Sequence, residues 1–215
     1  AVHLRVNLIG KRPTPLLKGY IVRSSGMNPT KRVFDIAVAL LLAAVLIVPM
    51  VIIALLVKVS SKGPVLYWSE RIGAGNRTFR MPKFRTMRED TPSVATHLLT
   101  DSRRYITPLG RWLRKYSADE FPQLWSILRG DMSFVGPRPA LYNQDDLIAL
   151  RTERGVHVLT PGLTGWAQIH GRDELPIPVK VEYDAYYLTH RSFLLDLTIL
   201  YKTFFKAIKG EGIRH

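Results

Sequence analysis

The chain contains no cysteine, so it has no disulfide framework and no thiolate metal site. That absence fits a reducing compartment. Acidic residues are scarce: 17 Asp plus Glu face 31 Lys plus Arg, a formal net charge of +14. Such a deficit implies an anionic partner, whether nucleic acid, anionic lipid head groups or a phosphorylated substrate. There is no internal repeat and no low-complexity tract. One stretch lacks charge entirely. From Ile36 to Val57 no side chain is charged or strongly polar. At a helical rise of about 1.5 Å per residue this run reaches roughly 33 Å, enough to cross the hydrocarbon core of a bilayer. A soluble core helix of that length would show a polar face, and this one has none. A cleavable signal peptide is excluded on position and length, and no small-residue cleavage site follows the run.

Two features argue against a simple span. Pro49 lies just past the middle of the run, where it removes a backbone donor and kinks a helix. Both flanks are basic, with Lys31 and Arg32 before and Lys58 and Lys62 after, so the charges set no polarity. A helix that enters, bends at Pro49 and returns to the same face satisfies both. Asp35, just inside the basic pair, either pairs with Arg32 or simply starts the helix.

The expected organisation is a basic extension or linker over residues 1–30, a re-entrant membrane helix over 31–62 and a cytosolic domain over 63–215. Val2 to Leu8 alternates like a short strand. Because the chain begins at Ala1, a processed chain or a piece of a longer one is expected. Val65 to Trp68 and Arg77 to Met81 read as strands around a turn at Gly73-Ala-Gly75-Asn76. Helices are predicted near 119–129, 142–154 and 180–189. Ser192 to Lys209 reads as an amphipathic basic helix. It either lies in a membrane interface or packs on the domain's own core.

The most informative segment is Ser117-Ala-Asp119-Glu120-Phe-Pro122-Gln123-Leu124. By itself an Asp-Glu pair reads as a solvated first helical turn. Here it is bracketed by base: Arg111-Trp-Leu-Arg114-Lys115 behind, Pro137-Arg138-Pro139 ahead. Phosphoryl transfer needs that arrangement, since a carboxylate serves as nucleophile or metal ligand while guanidinium groups hold phosphate oxygens. Lys83-Phe84-Arg85 places two cations on one face of an extended backbone. The prolines around Arg138 would hold its fork at low entropic cost. Gly171-Arg172-Asp173 adds another cation beside a turn. Singly, each of these reads as a surface charge.

Together the segments resemble the bacterial sugar transferases, the monotopic polyprenyl-phosphate phosphoglycosyl transferases. The resemblance rests on an ordered set: Lys31-Arg-Val-Phe-Asp35, Gly63-Pro64, Glu70-Arg71-Ile-Gly73, Lys83-Phe-Arg-Thr-Met87, Thr107-Pro-Leu-Gly110, Leu113-Arg114-Lys115, Asp119-Glu120-Phe-Pro-Gln-Leu124, Gly130-Asp-Met-Ser133, Val135-Gly-Pro-Arg-Pro139, Pro161-Gly162, Thr164-Gly-Trp-Ala-Gln168, Gly171-Arg172 and Asp184. It runs from about residue 31 to the end.

The resemblance implies an α+β, membrane-associated fold: a re-entrant helix kinked at Pro49, interfacial amphipathic helices and a small helix-rich catalytic domain. It implies transfer of a sugar 1-phosphate from a UDP-sugar to undecaprenyl phosphate, with UMP released, as the first membrane step of exopolysaccharide, capsule or O-antigen synthesis. The implied place is the bacterial inner membrane, with catalysis on the cytoplasmic face, among membrane lipids and in a possible homodimer. Asp119 is the implied nucleophile and Mg²⁺ the implied cofactor. Glu120 completes the metal site or assists the acceptor. Lys83, Arg85, Arg138 and Arg172 are the expected phosphate ligands. Arg114 binds phosphate or pairs with the dyad, and Asp184 supports the metal or hydrogen-bonds the site. Two positions depart from the pattern: Val48 stands where a serine often precedes the helix proline, and Asp173 where asparagine often follows Gly171-Arg172. Two rivals stand beside this reading. A basic nucleic-acid-binding protein explains the charge but not the apolar run, so nucleic acid is not the expected partner. A non-catalytic membrane scaffold would keep the helix and not need Asp119.

Overall fold

A computed structural model describes residues 27–91, 104–171 and 175–209. The strand expected over residues 2–8 lies outside these. Helix α1 (Pro29–Ser60) begins where Asn28 caps it, its side chain accepting from the Thr30 N–H at 3.0 Å. Pro29 takes the first helical position, where a missing donor does no harm. Pro49 sits inside α1 without ending it. Its ring leaves the Val45 carbonyl without the usual helical donor. Leu40, Leu41, Val45, Ile47, Val48, Val51, Ile52 and Leu55 are each more than half exposed. The helix is long and apolar enough to cross a membrane, and an apolar face of this extent is compatible with membrane association rather than water contact.

Both ends of α1 are tied to the rest of the chain. At its start, Arg32 donates through Nη1 to the Ile127 carbonyl (2.5 Å) and through Nη2 to the Leu128 carbonyl (2.6 Å). These carbonyls belong to the last turn of a second helix, where carbonyls run short of helical donors, although the Gly130 N–H also reaches the Ile127 carbonyl at 3.1 Å. Lys31 pairs with Asp196 at 2.5 Å. Asp35 does not pair with Arg32; it is buried and accepts from the Phe134 N–H at 3.4 Å. At the far end, Ile53 and Val57 are buried in an apolar cluster with Phe84, Leu113 and Ala118.

The predicted hairpin is present and longer than expected. β1 (Leu66–Ile72) pairs antiparallel with β2 (Thr78–Phe84), Leu66 opposite Phe84 and Ile72 opposite Thr78. Gly75 (φ 65°) and Asn76 (φ 59°) take left-handed conformations in the turn, which these two residue types tolerate. Next come α2 (Pro108–Lys115), a 3-10 turn over Ala118–Gln123 and α3 (Leu124–Arg129). The predicted helix near 119–129 is thus two pieces, because Pro122 offers no N–H to a ladder begun at Asp119.

β3 (Ser133–Val135) lies parallel to β4 (Gly162–Thr164). A Cβ at Gly162 would run into Gly136, so these backbones meet only because both are glycine. α4 (Asp145–Glu153) and α6 (Ile177–His190) correspond to the predicted helices, and α5 (Trp166–His170) lies between them. α7 (Phe193–Lys209) packs one side on the core, as one of its two expected placements requires. Asp196 and Ile199 are buried against the core, while Leu194, Tyr201 and Phe204 remain mostly exposed.

Arg32→Met keeps the apolar stem and removes the donors that finish α3. The Leu128 carbonyl then loses its Arg32 donor and the Ile127 carbonyl keeps only the Gly130 N–H, at a cost of about 1–3 kcal/mol. The expected outcome is a thermal midpoint in detergent lower by about 2–4 °C per kcal/mol, with Arg77→Met, an exposed turn arginine, as control. Equal midpoints for the two variants would remove α1 from the list of stabilising contacts.

Candidate active site

Ser117 adopts a left-handed conformation (φ 53°), which turns the chain out of α2 and aims the next residues back at β2. Asp119 is thereby 7% exposed. Glu120 beside it is met by two cations. Lys83 Nζ lies 2.8 Å from its Oε1, and Arg138 Nη2 lies 3.5 Å from the same oxygen. The alternation along β2 explains the first contact. Phe84 turns into the apolar cluster with Leu113 and Ala118, so Lys83 must turn the other way. Arg114, on the last turn of α2, donates from Nε to Thr86 Oγ1 at 2.9 Å.

The neighbouring carboxyls are unlike each other. Burial raises Asp119 above the ordinary carboxylate value; Lys83 and Arg114 oppose that rise, while the Glu120 charge adds to it. Burial alone would raise Glu120 too, but the paired charges of Lys83 and Arg138 outweigh it and hold its carboxyl at about 2. Burial lowers the Arg114 guanidinium, and Asp119 partly restores it. Glu120 is therefore paired with two protein cations, both on its Oε1. Asp119 has no ion pair or side-chain hydrogen bond among the described residues.

Three expected residues are placed elsewhere or not described. Arg85 is buried, but it turns to the end of α1, donating through Nη2 to the Ser61 carbonyl and to Ser61 Oγ, both at 2.9 Å. Asp184 does not join the dyad. It is 1% exposed and takes Nε and Nη2 of Arg151 on one oxygen, at 3.0 and 2.6 Å. Among the described residues no three His, Asp or Glu side chains gather as a metal cage. The expected ligand set Asp119, Glu120, Asp184 is thus not brought together, because the Asp184 carboxylate is already occupied by Arg151. Arg172 lies outside the described residues. Sequence reasoning missed Arg151 altogether; nothing in its helical segment marks it, since its partner lies 33 positions away.

A hard cation such as Mg²⁺ takes one or two carboxylates and fills its other positions with water and substrate phosphate. A buried carboxylate without a cation, Asp119, beside a second one, Glu120, fits that donor set without a cage.

A sequence model of the family described as bacterial sugar transferase matches residues 26–210. The chain belongs to the bacterial sugar transferase family. It is 40% identical to the uncharacterized sugar transferase EpsL of Bacillus subtilis, over 86% of this chain and 90% of that protein. It is 35% identical to the UDP-N-acetylgalactosamine-undecaprenyl-phosphate N-acetylgalactosaminephosphotransferase of Aeromonas hydrophila, over 99% of this chain and 49% of that one. It is 38% identical to the undecaprenyl-phosphate glucose phosphotransferase of Komagataeibacter xylinus, over 83% of this chain and 36% of that one. The chain therefore spans about half or less of the two latter relatives. The family expected from the ordered motifs is the family found.

In this sugar transferase the Glu120 pairs leave a pH signature. A carboxyl held at about 2, below its ordinary 4.5, contributes stability that is complete above pH 4.5 and fades as pH falls from 4.5 towards 2. At 1.36 kcal/mol per unit, the contribution at pH 7 is about 3 kcal/mol. Glu120→Gln should therefore be less stable than wild type by that amount at pH 7, and the gap should narrow steadily below pH 4.5. Denaturation in detergent at a series of pH values measures it; a gap that stays constant to pH 3 would show that Glu120 is not held by its cations.

Proposed function

We propose that the chain transfers a sugar 1-phosphate from a UDP-sugar to undecaprenyl phosphate through a covalent aspartyl intermediate. The observation that carries this reading is the asymmetry of the dyad: Glu120 is clamped by Lys83 and Arg138, while Asp119, buried beside it, keeps its carboxylate uncommitted. A carboxylate needs no base to become a nucleophile. In the proposed first step an Asp119 oxygen attacks the sugar-bearing phosphorus. The bond from that phosphorus to the bridging oxygen breaks, UMP leaves, and an acyl phosphate to the sugar remains. In the second step an oxygen of the acceptor phosphate attacks the same phosphorus. The acyl bond breaks, Asp119 regains its carboxylate, and polyprenyl diphosphate sugar is released.

The remaining groups bind and orient. Arg138 and Arg114 screen the diphosphate so that one anion can approach another. Lys83 keeps Glu120 ionised and in place. Asp119 and Glu120 are the residues that would hold Mg²⁺, which supplies further neutralisation of the phosphate oxygens. Arg85 and Arg172 are second candidates for the acceptor or donor phosphate. The printed names of the relatives support the donor and acceptor classes, and their different sugars leave the sugar open. The reaction is the first membrane step of a surface polysaccharide in this reading.

The topology proposed is re-entrant. Lys31 and Arg32 at one end of α1 and Val57 at the other hold to the same body of protein. That body stands on one side of a bilayer, so a helix crossing it would lose one set of contacts. The exposed middle of α1 and the exposed aromatics of α7 are then the surfaces that meet lipid, at the cytoplasmic face of the inner membrane.

Two experiments test these readings. UMP release from a panel of UDP-sugars, with Mg²⁺ and undecaprenyl phosphate in detergent, is expected for one donor and is expected to fall at least about a thousandfold in Asp119→Asn. Wild-type turnover by that variant would sink the covalent mechanism and favour a scaffold. For topology, the absence of cysteine gives a clean background. Thr30→Cys and Ser60→Cys, both exposed, should react with an impermeant maleimide from the same side of oriented vesicles; labelling from opposite sides would establish a span.

A further inference from the structure

The backbone around Arg138 is held with unusual completeness. Pro137 and Pro139 fix their own φ angles, and Pro139 also keeps the residue before it out of the helical region. Four consecutive carbonyls are then taken from outside. Pro137 O accepts from the Gly162 N–H at 2.9 Å, and Ala140 O accepts from the Ile72 N–H at 2.9 Å. Pro139 O accepts from Arg71 Nη1 at 3.2 Å. Arg138 O accepts from Arg151 Nη1 at 2.8 Å. Two of these donors are backbone N–H groups, at the end of β1 and the start of β4, and a third is the side chain of Arg71 on β1. The fourth is a charged side chain reaching from α4, 8% exposed.

That side chain is itself held. Arg151 gives its two remaining directions, Nε and Nη2, to Asp184 of α6. A planar guanidinium with three of its donors committed on two sides cannot rotate without breaking contacts on both. A buried arginine and a buried carboxylate are costly to desolvate and are weak evidence for stability as such. Their arrangement is informative because the third arm ends on the carbonyl of Arg138, one of the two residues that clamp Glu120.

Resting on the reading of Arg138 as a donor-phosphate ligand, we infer that Arg151 is a positioning residue for that clamp, and that Asp184 serves the reaction by holding Arg151 rather than by binding metal. Holding the Arg138 carbonyl sets the direction in which its Cα–Cβ bond leaves the backbone. The guanidinium then arrives where Glu120 and the donor diphosphate meet. A displacement of about 1 Å at such a group lowers a rate or an affinity by up to a hundredfold.

Arg151→Lys is the informative variant. It leaves a cation beside Asp184, so the buried carboxylate keeps a partner, but an ammonium lacks the fork that bridges Asp184 and the Arg138 carbonyl. Binding of UDP to the full chain in detergent is measured by calorimetry for wild type, Arg151→Lys, Arg138→Met and the double variant. The donor KM and kcat are read on the same preparations, and thermal midpoints report folding. The expected result is weaker UDP binding by about tenfold or more in each single variant, with the double variant no weaker than Arg138→Met alone. Non-additivity of that kind is the mark of residues acting through one another. Asp184→Asn should behave like Arg151→Lys, raising KM more than it lowers kcat. Unchanged UDP binding in Arg151→Lys, or single effects that multiply in the double variant, overturns the inference while leaving the clamp intact. If Arg138→Met itself binds UDP as wild type does, the inference falls together with the reading of Arg138 as a phosphate ligand.

Discussion

Two neighbouring carboxylates withdrawn from water form the constraint around which this molecule is arranged. A buried negative charge is tolerated only beside compensating charge or hydrogen-bond donors. Glu120 receives that compensation from Lys83 on β2 and Arg138 on the proline segment. Asp119 receives only more distant help, from Lys83 and Arg114, and burial keeps its carboxyl raised. One carboxylate stabilises the local arrangement and the other stays available for chemistry. The left-handed turn at Ser117 and the 3-10 turn after it are the local means by which both reach one place.

The second constraint is lipid. An apolar helix with most of its middle exposed needs a non-aqueous neighbour, yet its ends are bound to the body by charge. Arg32 completes α3, Lys31 meets Asp196, and Asp35 reaches the backbone of β3. At the other end Ile53 and Val57 share an apolar cluster with Phe84 and Leu113. α2, which leads directly into the dyad, therefore rests on α1. α1 and the segment carrying the dyad are mechanically one unit, which suits the proposed reaction with a lipid phosphate.

Much of this is legible from local signals. The α1 run, the hairpin with its Gly75-Asn76 turn, α4 and α6 each have a periodicity or a punctuating residue that operates over a few positions. The strands β3 and β4 were not predicted, because three residues carry no usable period. The helix predicted near 119–129 opens instead with a 3-10 turn, since hydrophobic spacing does not distinguish a 3-10 turn from an α-helix there. Within the candidate site, Lys83, Arg138 and Glu120, which the structure brings together, and Asp119 beside them are marked by the company that acid and base keep along the chain. No local pattern shows that Asp184 meets Arg151 or that Arg85 turns towards Ser61.

The sequence by itself determined the anionic-partner chemistry, the apolar helix, the acid pair amid base and, through the order of its motifs, the family. These follow from residue type and spacing, which act over short distances along the chain. Only the tertiary structure decided which carboxylate is neutralised and which is left available, where Arg85 points, and that Asp184 holds Arg151. Those outcomes depend on which charges share a buried volume. Burial and the direction of a side chain are set by packing between elements far apart in sequence, and no local pattern records them.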